Sequence, residues 1–366
     1  MTQVDKSQTN INPSVTRIQP YQPGKPIAEL TRELGITDIV KLASNENPRG
    51  PGERVLQAVA RASQELPRYP DGFGFDLKSK LAERLHVPIT QITLGNGSNE
   101  VIDLLARAVL QPGSEAIVSQ HAFIAYKLAV FANAGDLITV PAQNFGADLD
   151  AMLAAITDKT RLIFLANPNN PTGTWVNRLQ LKNFLDKVPE RVWVLLDEAY
   201  FEYVQEPEFP DGVSLLGDYA NLIVTRTFSK IHGLAALRVG YACGSERISD
   251  LLNRARLPFN LNSIALAAAR ASLEDDTYQL ASRELNTAGI SQLTQGLAAL
   301  DLTFIPPMGN FVTFEVADAL NTYQSLLKLG VIVRPVAEYE LTNFLRVTVG
   351  LAGENERFLT ALTQVL

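Results

Sequence analysis

Apolar and polar positions follow two alternating rhythms along this chain. Arg161-Leu-Ile-Phe-Leu-Ala166 and Val192-Trp-Val-Leu-Leu196 are nearly unbroken apolar runs, and Leu222-Ile-Val224 begins a third. Such runs suit strands buried on both faces. Between and before them lie stretches with apolar positions at helical spacing: Phe123 to Ala134, Leu149 to Ile156 and Leu179 to Val188. Further strands are expected at Leu94, Glu115–Ser119 and Asp136–Val140, with a helix from Val101 to Leu110. Strand, helix, strand at this rhythm predicts an α/β fold whose large sheet is mainly parallel and covered by helices.

The two ends of the chain read differently. Residues 1–15 are polar and expected to form a flexible tail. Residues 16–47 hold a proline-rich extended stretch, a helix ended by Gly35 and a short strand over Asp38–Ala43. Two helices follow, Glu53 to Leu66 and Phe75 to His86. Beyond Tyr241 the pattern gives a helix over Ile248–Arg256, then a long one from Ser263 interrupted near Asp275-Asp-Thr277. Short strands near Leu302, Phe311, Val331–Arg334 and Phe344 alternate with helices at Asn321–Leu329 and Glu354–Leu366. The expected division is an N-terminal segment, 16–47, packing with a smaller α+β domain, 263–366, and a large domain, 48–262.

Composition narrows the functional classes. With 366 residues, 46% hydrophobic and 19% charged, the chain is long enough for two domains. A net charge of −7 without a basic stripe argues against nucleic acid. Cys243 is the single cysteine, so disulfides and thiolate metal clusters are excluded, and it reads as a buried inert thiol. His86, His121 and His232 show no metal-ligand spacing. No apolar run reaches the roughly 20 residues of a membrane helix, and the N-terminus lacks a signal-like apolar region. The expected location is the cytoplasm.

The chemistry gathers where strands end. Asn170 follows one expected strand, Asp197 the next and Lys230 a third. In a parallel sheet these ends face one crevice. A lysine there condenses with a carbonyl once burial lowers its pKa. Leu94-Gly-Asn-Gly-Ser-Asn-Glu100 opens a helix with small residues, offering free backbone amides of Gly97, Ser98 and Asn99 to a phosphate. Thr227, Ser229 and Arg238 add hydroxyls and a positive fork. One cofactor suits this set: pyridoxal 5′-phosphate. Lys230 would hold its aldehyde and Asp197 its ring nitrogen. Asn170 and the Tyr200 hydroxyl would bond its phenolic oxygen, and Phe123 would stack on the ring.

Asn167-Pro-Asn-Asn-Pro-Thr-Gly173, Asp197-Glu-Ala-Tyr200, Thr227-Phe-Ser-Lys230 and Leu237-Arg-Val-Gly-Tyr241 resemble the signatures of fold-type I, aspartate-aminotransferase-like enzymes. Tyr21-Gln-Pro-Gly-Lys-Pro26, Leu42-Ala-Ser-Asn-Glu-Asn-Pro48, Arg68-Tyr-Pro-Asp-Gly72 and Phe344-Leu-Arg-Val-Thr-Val-Gly350 are similar to the histidinol-phosphate aminotransferase branch. This resemblance implies a homodimer in which Tyr69 reaches the cofactor phosphate of the partner subunit. It also implies that Arg346 binds the anionic end of the substrate, with Arg334, Tyr21 and Asn45 on the same side. The reaction it implies moves an amino group between L-glutamate and imidazole-acetol phosphate. Aromatic amino-acid transamination, threonine-phosphate decarboxylation and a non-catalytic cofactor-binding regulator stay open as alternatives. Two segments depart from the family pattern: His121-Ala122, and Ala337-Glu-Tyr-Glu-Leu-Thr-Asn-Phe344, where Glu338 and Glu340 bring negative charge beside the expected pocket.

Overall fold

Residues 14–366 are described by the computed structural model, and residues 1–13 of the expected tail lie outside the described residues. In chain order the first elements are α1 (Ile27–Leu34), β1 (Val40–Lys41), α2 (Glu53–Ala62), α3 (Phe75–Leu85), β2 (Ile92–Gly95) and α4 (Ser98–Val109). Next come β3 (Glu115–Ser119), α5 (Ile124–Ala132), β4 (Asp136–Val140), α6 (Leu149–Ala154), β5 (Thr160–Ala166), α7 (Arg178–Leu185), β6 (Trp193–Asp197) and β7 (Leu222–Thr227). Then follow β8 (Gly240–Gly244), α8 (Glu246–Ala255), α9 (Ser263–Ser272) and α10 (Asp276–Ala299). The last elements are β9 (Phe304–Ile305), β10 (Phe311–Glu315), α11 (Ala319–Lys328), β11 (Val331–Ile332), β12 (Arg334–Pro335), β13 (Phe344–Thr348) and α12 (Ala352–Val365).

The large sheet has seven strands in the order β2-β8-β7-β6-β5-β3-β4. Pairing is parallel from β7 through β4, while β8 runs against both its neighbours. Apolar residues of β5 and β6 divide between two clusters, one on each side of the sheet. Ile163, Leu165, Val194 and Leu196 pack one way, and Leu162, Phe164 and Leu195 the other. That is the period-2 alternation of a strand buried on both faces.

Strand content and order follow the hydrophobic pattern, but several boundaries move. The helix expected from Val101 begins at Ser98, because Gly97 (φ +76°) turns the chain directly into its first turn. The strand expected over 331–334 divides, β11 pairing with β1 and β12 with β13. The break at Asp275 is real: its side chain caps α10 by accepting from the Tyr278 amide at 3.1 Å.

Packing also shifts the domain boundary. α9 buries Ala265, Ala268 and Ala269 in the core of the large sheet, so the large unit extends to about Leu273 rather than ending at 262. The small unit is built on the antiparallel sheet β12-β13-β10-β9 and closed by α11 and α12. The N-terminal segment touches both units. Ile18 packs on the large domain, whereas Leu30 of α1 packs with Leu327 and Ile332 of the small one.

A buried ion pair lies behind the sheet. Arg226 of β7 donates to Glu198 through Nε (2.9 Å) and Nη2 (2.7 Å), and Glu198 also accepts from the Gly212 amide at 2.8 Å. Burial pushes the Glu198 carboxyl up, and the adjacent guanidinium opposes that shift. Arg226 Nη2 also bonds Asp211 at 2.7 Å, so Glu198→Ala strips the buried guanidinium of one of two carboxylate partners and is expected to cost about 2–3 kcal/mol of stability in urea titration. Exchanging both partners for apolar residues of similar volume is expected to cost far less; an equal loss would count against burial as the cause.

Candidate active site

Three adjacent parallel strands, β5, β6 and β7, end at the rim of one cleft. Asn170, Asp197 and Lys230 line it, together with Ser98, Asn99 and Phe123 from neighbouring strand–helix turns. Asp197 is the last residue of β6 rather than a loop residue, so its backbone is fixed by the sheet. Its Oδ2 accepts from the Tyr126 hydroxyl at 2.7 Å and its Oδ1 from Thr225 at 3.2 Å. Burial raises this carboxyl above its ordinary value, and those two hydrogen bonds counter the rise. Sequence reading missed Tyr126; its signal was a polar hydroxyl on the buried face of a mostly apolar helix, α5.

Lys230 follows β7 through the turn Phe228-Ser-Lys230, and its Nζ donates to the Ser44 carbonyl at 3.2 Å. Burial, with the positive charges of Arg346 and Arg238, brings its amine from 10.5 down to about 7. This is the pKa of a base working near neutrality. Tyr200 stands beside it, its ring centroid 5.6 Å from the Lys230 nitrogen. The Tyr200 hydroxyl accepts from Asn45 Nδ2 at 2.8 Å, and burial pushes its pKa up to about 12.

The residues expected to form a phosphate cup lie around the start of α4. Gly97 caps α4 from behind, while Ser98 and Asn99 face the cleft. A Cβ on Gly97 would sit 2.7 Å from Arg238 Nη2, so only glycine lets that guanidinium lie against the helix end. A Cβ on Gly240 would stand 2.5 Å from the Ser98 amide nitrogen, which keeps that donor clear. Arg238 Nη1 reaches the Ser229 hydroxyl at 3.4 Å, and Thr227 and Ser229 line the same wall. Helix-end amides, hydroxyls and a guanidinium form a donor set suited to a phosphate dianion.

Opposite the cup stand two buried arginines from the small unit. Arg334 and Arg346 occupy directly facing positions of β12 and β13, and both line the cleft. Arg346 donates to Asn170 Oδ1 and, at 2.8 Å, to the Ala43 carbonyl, both neutral acceptors. Its Nε is buried without an acceptor among the described residues. Tyr21 and Asn45 complete this side, the Tyr21 ring centroid lying 5.5 Å from the Arg334 guanidinium carbon. Tyr69 is elsewhere: it is 83% exposed, stacks on Phe259 at 4.8 Å and does not line the cleft of its own chain.

Residues 37–362 match the family described as aminotransferase class I and II. A histidinol-phosphate aminotransferase 2 of Pseudomonas aeruginosa is 55% identical over 357 residues, covering 97% of each chain. A histidinol-phosphate aminotransferase of Methylobacillus flagellatus is 52% identical over 355 residues, covering 96% of each chain. Among solved structures, histidinol-phosphate aminotransferase from Sinorhizobium meliloti in complex with pyridoxal-5′-phosphate superposes with a TM-score of 0.91. It is 28% identical, covering 98% of this chain and 97% of that one. The fold also matches aspartate aminotransferase from Thermus thermophilus with maleate, at a TM-score of 0.84 and 23% identity over 97% of this chain and 99% of that one. From its sheet order, its cleft lysine and these likenesses, the chain belongs to the class I and II aminotransferases.

Proposed function

We propose that this enzyme transfers an amino group between L-glutamate and imidazole-acetol phosphate, giving L-histidinol phosphate and 2-oxoglutarate in histidine biosynthesis. Its cofactor is pyridoxal 5′-phosphate. One observation supports the substrate side above others: Arg334 and Arg346 face each other in register inside a buried cleft. Like charges directly opposite destabilise a strand pair, and an unpartnered buried donor costs more still. Glu338 answers one of the two charges, and the anionic end of a substrate relieves what remains, including the Arg346 Nε that lacks an acceptor among the described residues. A guanidinium fork takes phosphate and carboxylate alike, so one site serves both half-reactions.

The residues fit the cofactor. Ser98, Asn99, Thr227, Ser229 and Arg238 would hold its phosphate, with Gly97 shaping the turn behind them. Asp197 would pair with its ring nitrogen, Asn170 and Tyr200 with its phenolic oxygen, and Phe123 would cover its face. When bound, the group draws off the negative charge that develops at the substrate Cα. Lys230 would anchor it and then, released, take the Cα proton onto Nζ; a pKa near working pH makes that transfer effective. Asn45 fixes the Tyr200 ring through its hydroxyl, keeping it beside Nζ.

The reading includes a homodimer working in the cytoplasm. In its support, Tyr69, Phe73 and Phe259 are exposed, Tyr69 stacks on Phe259, and the Phe259 ring lies against Gly72. Exposed aromatic rings packed on one another suit a subunit interface. Tyr69 would serve the cofactor phosphate of the neighbouring subunit. Among the described residues no helix is long and apolar enough to cross a membrane.

Lys230→Ala is expected to lower turnover at least about a thousandfold and to abolish borohydride trapping of the cofactor. In a panel of acceptors with glutamate as donor, imidazole-acetol phosphate should give the highest kcat/KM. Preference for phenylpyruvate would overturn the substrate assignment, and a fully active Lys230→Ala the mechanism.

Only the neutral amine attacks an aldehyde. The rate at which the cofactor-free protein captures pyridoxal 5′-phosphate, read by absorbance, should therefore climb with pH and level off above about 7. A climb continuing toward pH 10 would show that burial does not depress Lys230. Arg346→Gln removes a positive neighbour and should move the midpoint upward.

Mixing Lys230→Ala with Tyr69→Ala protein should restore activity above the sum of the parents, since mixed dimers would hold one intact site. No gain after subunit exchange would refute the shared site.

A further inference from the structure

The two segments that depart from the family pattern meet over the arginine side of the cleft. Glu338 is paired with Arg334 through Nη2; the Arg334 side chain is buried, while Glu338 is exposed at the rim. An arginine facing the substrate end is thus already answered by an internal carboxylate. The segment carrying that carboxylate is clamped in place. His121 Nδ1 lies 2.6 Å from the Tyr339 carbonyl oxygen, and Gln120 Nε2 donates to Glu340 at 2.6 Å. Glu340 holds a left-handed conformation (φ +63°), and Val336, Tyr339 and Leu341 form a small buried cluster beneath it. Glu338 does not itself line the cleft; it reaches it through Arg334, which does.

Resting on the reading of Arg334 and Arg346 as holders of the substrate anion, we infer that Glu338 is a specificity-determining residue, a built-in counter-ion that tempers this pocket. With it, the two guanidiniums present one net positive charge instead of two. Coulomb repulsion scales with the charge of the ligand, so Glu338 weakens a phosphate dianion about twice as much as a carboxylate, on a free-energy scale. Arg334 keeps further donors on its fork for the ligand, because the recorded pair uses Nη2 alone. The consequence is levelling: the same pocket holds the doubly charged substrate less tightly and brings its affinity toward that of glutamate.

The test compares wild-type and Glu338→Gln holoenzyme, with inorganic phosphate as competitive inhibitor and glutamate as substrate. The neutral amide should tighten phosphate inhibition by about tenfold and lower the glutamate KM by about threefold, with kcat for the glutamate half-reaction unchanged. Glu340→Gln, on the same segment but facing Gln120, should leave the ratio of the two constants at the wild-type value. Equal changes for both anions, or weaker binding of both, would overturn the inference and make Glu338 a positioning residue for Arg334. An Arg334→Gln holoenzyme separates the levels. Phosphate inhibition that depends on Arg334 but ignores Glu338 overturns only the role of Glu338. Inhibition indifferent to Arg334 overturns the arginine reading and this inference with it.

Discussion

The register between β6 and β7 is the constraint on which the other features depend. It sets Asp197 opposite Thr225, and the alternation of side chains does the rest. Asp197, Thr225 and Thr227 turn toward the cleft, while Glu198 and Arg226 turn to the opposite face and bond each other there. A slip of one residue would exchange the two sets, burying the Asp197 carboxylate behind the sheet and pushing the Glu198–Arg226 ion pair into the cleft. The Glu198–Arg226 pair and the Asp197–Thr225 bond both lock the same register, from opposite sides of one strand pair.

Charge in this cleft is arranged by exclusion of water as much as by contact. Desolvation is the largest influence on Lys230, Asp197, Tyr200 and Arg346 alike, each moved toward its neutral form. An amine kept near neutrality and a carboxylate braced by two hydroxyls have opposite requirements, and they are met within one crevice. The brace comes from Tyr126 and Thr225, residues that make no claim on attention as a motif. The sheet supplies one side of the cleft and the small unit supplies the arginines, so the lysine side and the arginine side rest on separate cores.

Much of this was legible in the chain itself. Continuous apolar runs gave the buried strands, and the residues after them gave Asn170, Asp197 and Lys230, because strand ends in a parallel sheet share a rim. What escaped was set by tertiary packing. α9 looks like the start of a long C-terminal helix, yet its alanines fit the large core, and no local pattern distinguishes the two destinations. Val331–Arg334 reads as one strand, but its two halves answer to different partners, β1 and β13. The pairing of Glu338 with Arg334 is likewise invisible in spacing alone, since a segment this irregular sets no helical or strand face.

The segment before α2 has a further consequence. It is anchored at one end by Arg17 and Ile18 on the large domain and at the other by β1 on the small one. Tyr21 and Asn45, near its two ends, both line the cleft. A strap fastened to two bodies reports their relative position. Any rocking of the small unit that carries Arg334 and Arg346 inward must draw this strap with it, and Asn45 transmits that movement to the Tyr200 hydroxyl. Displacement of the small unit and displacement of the groups beside Lys230 are thereby mechanically linked.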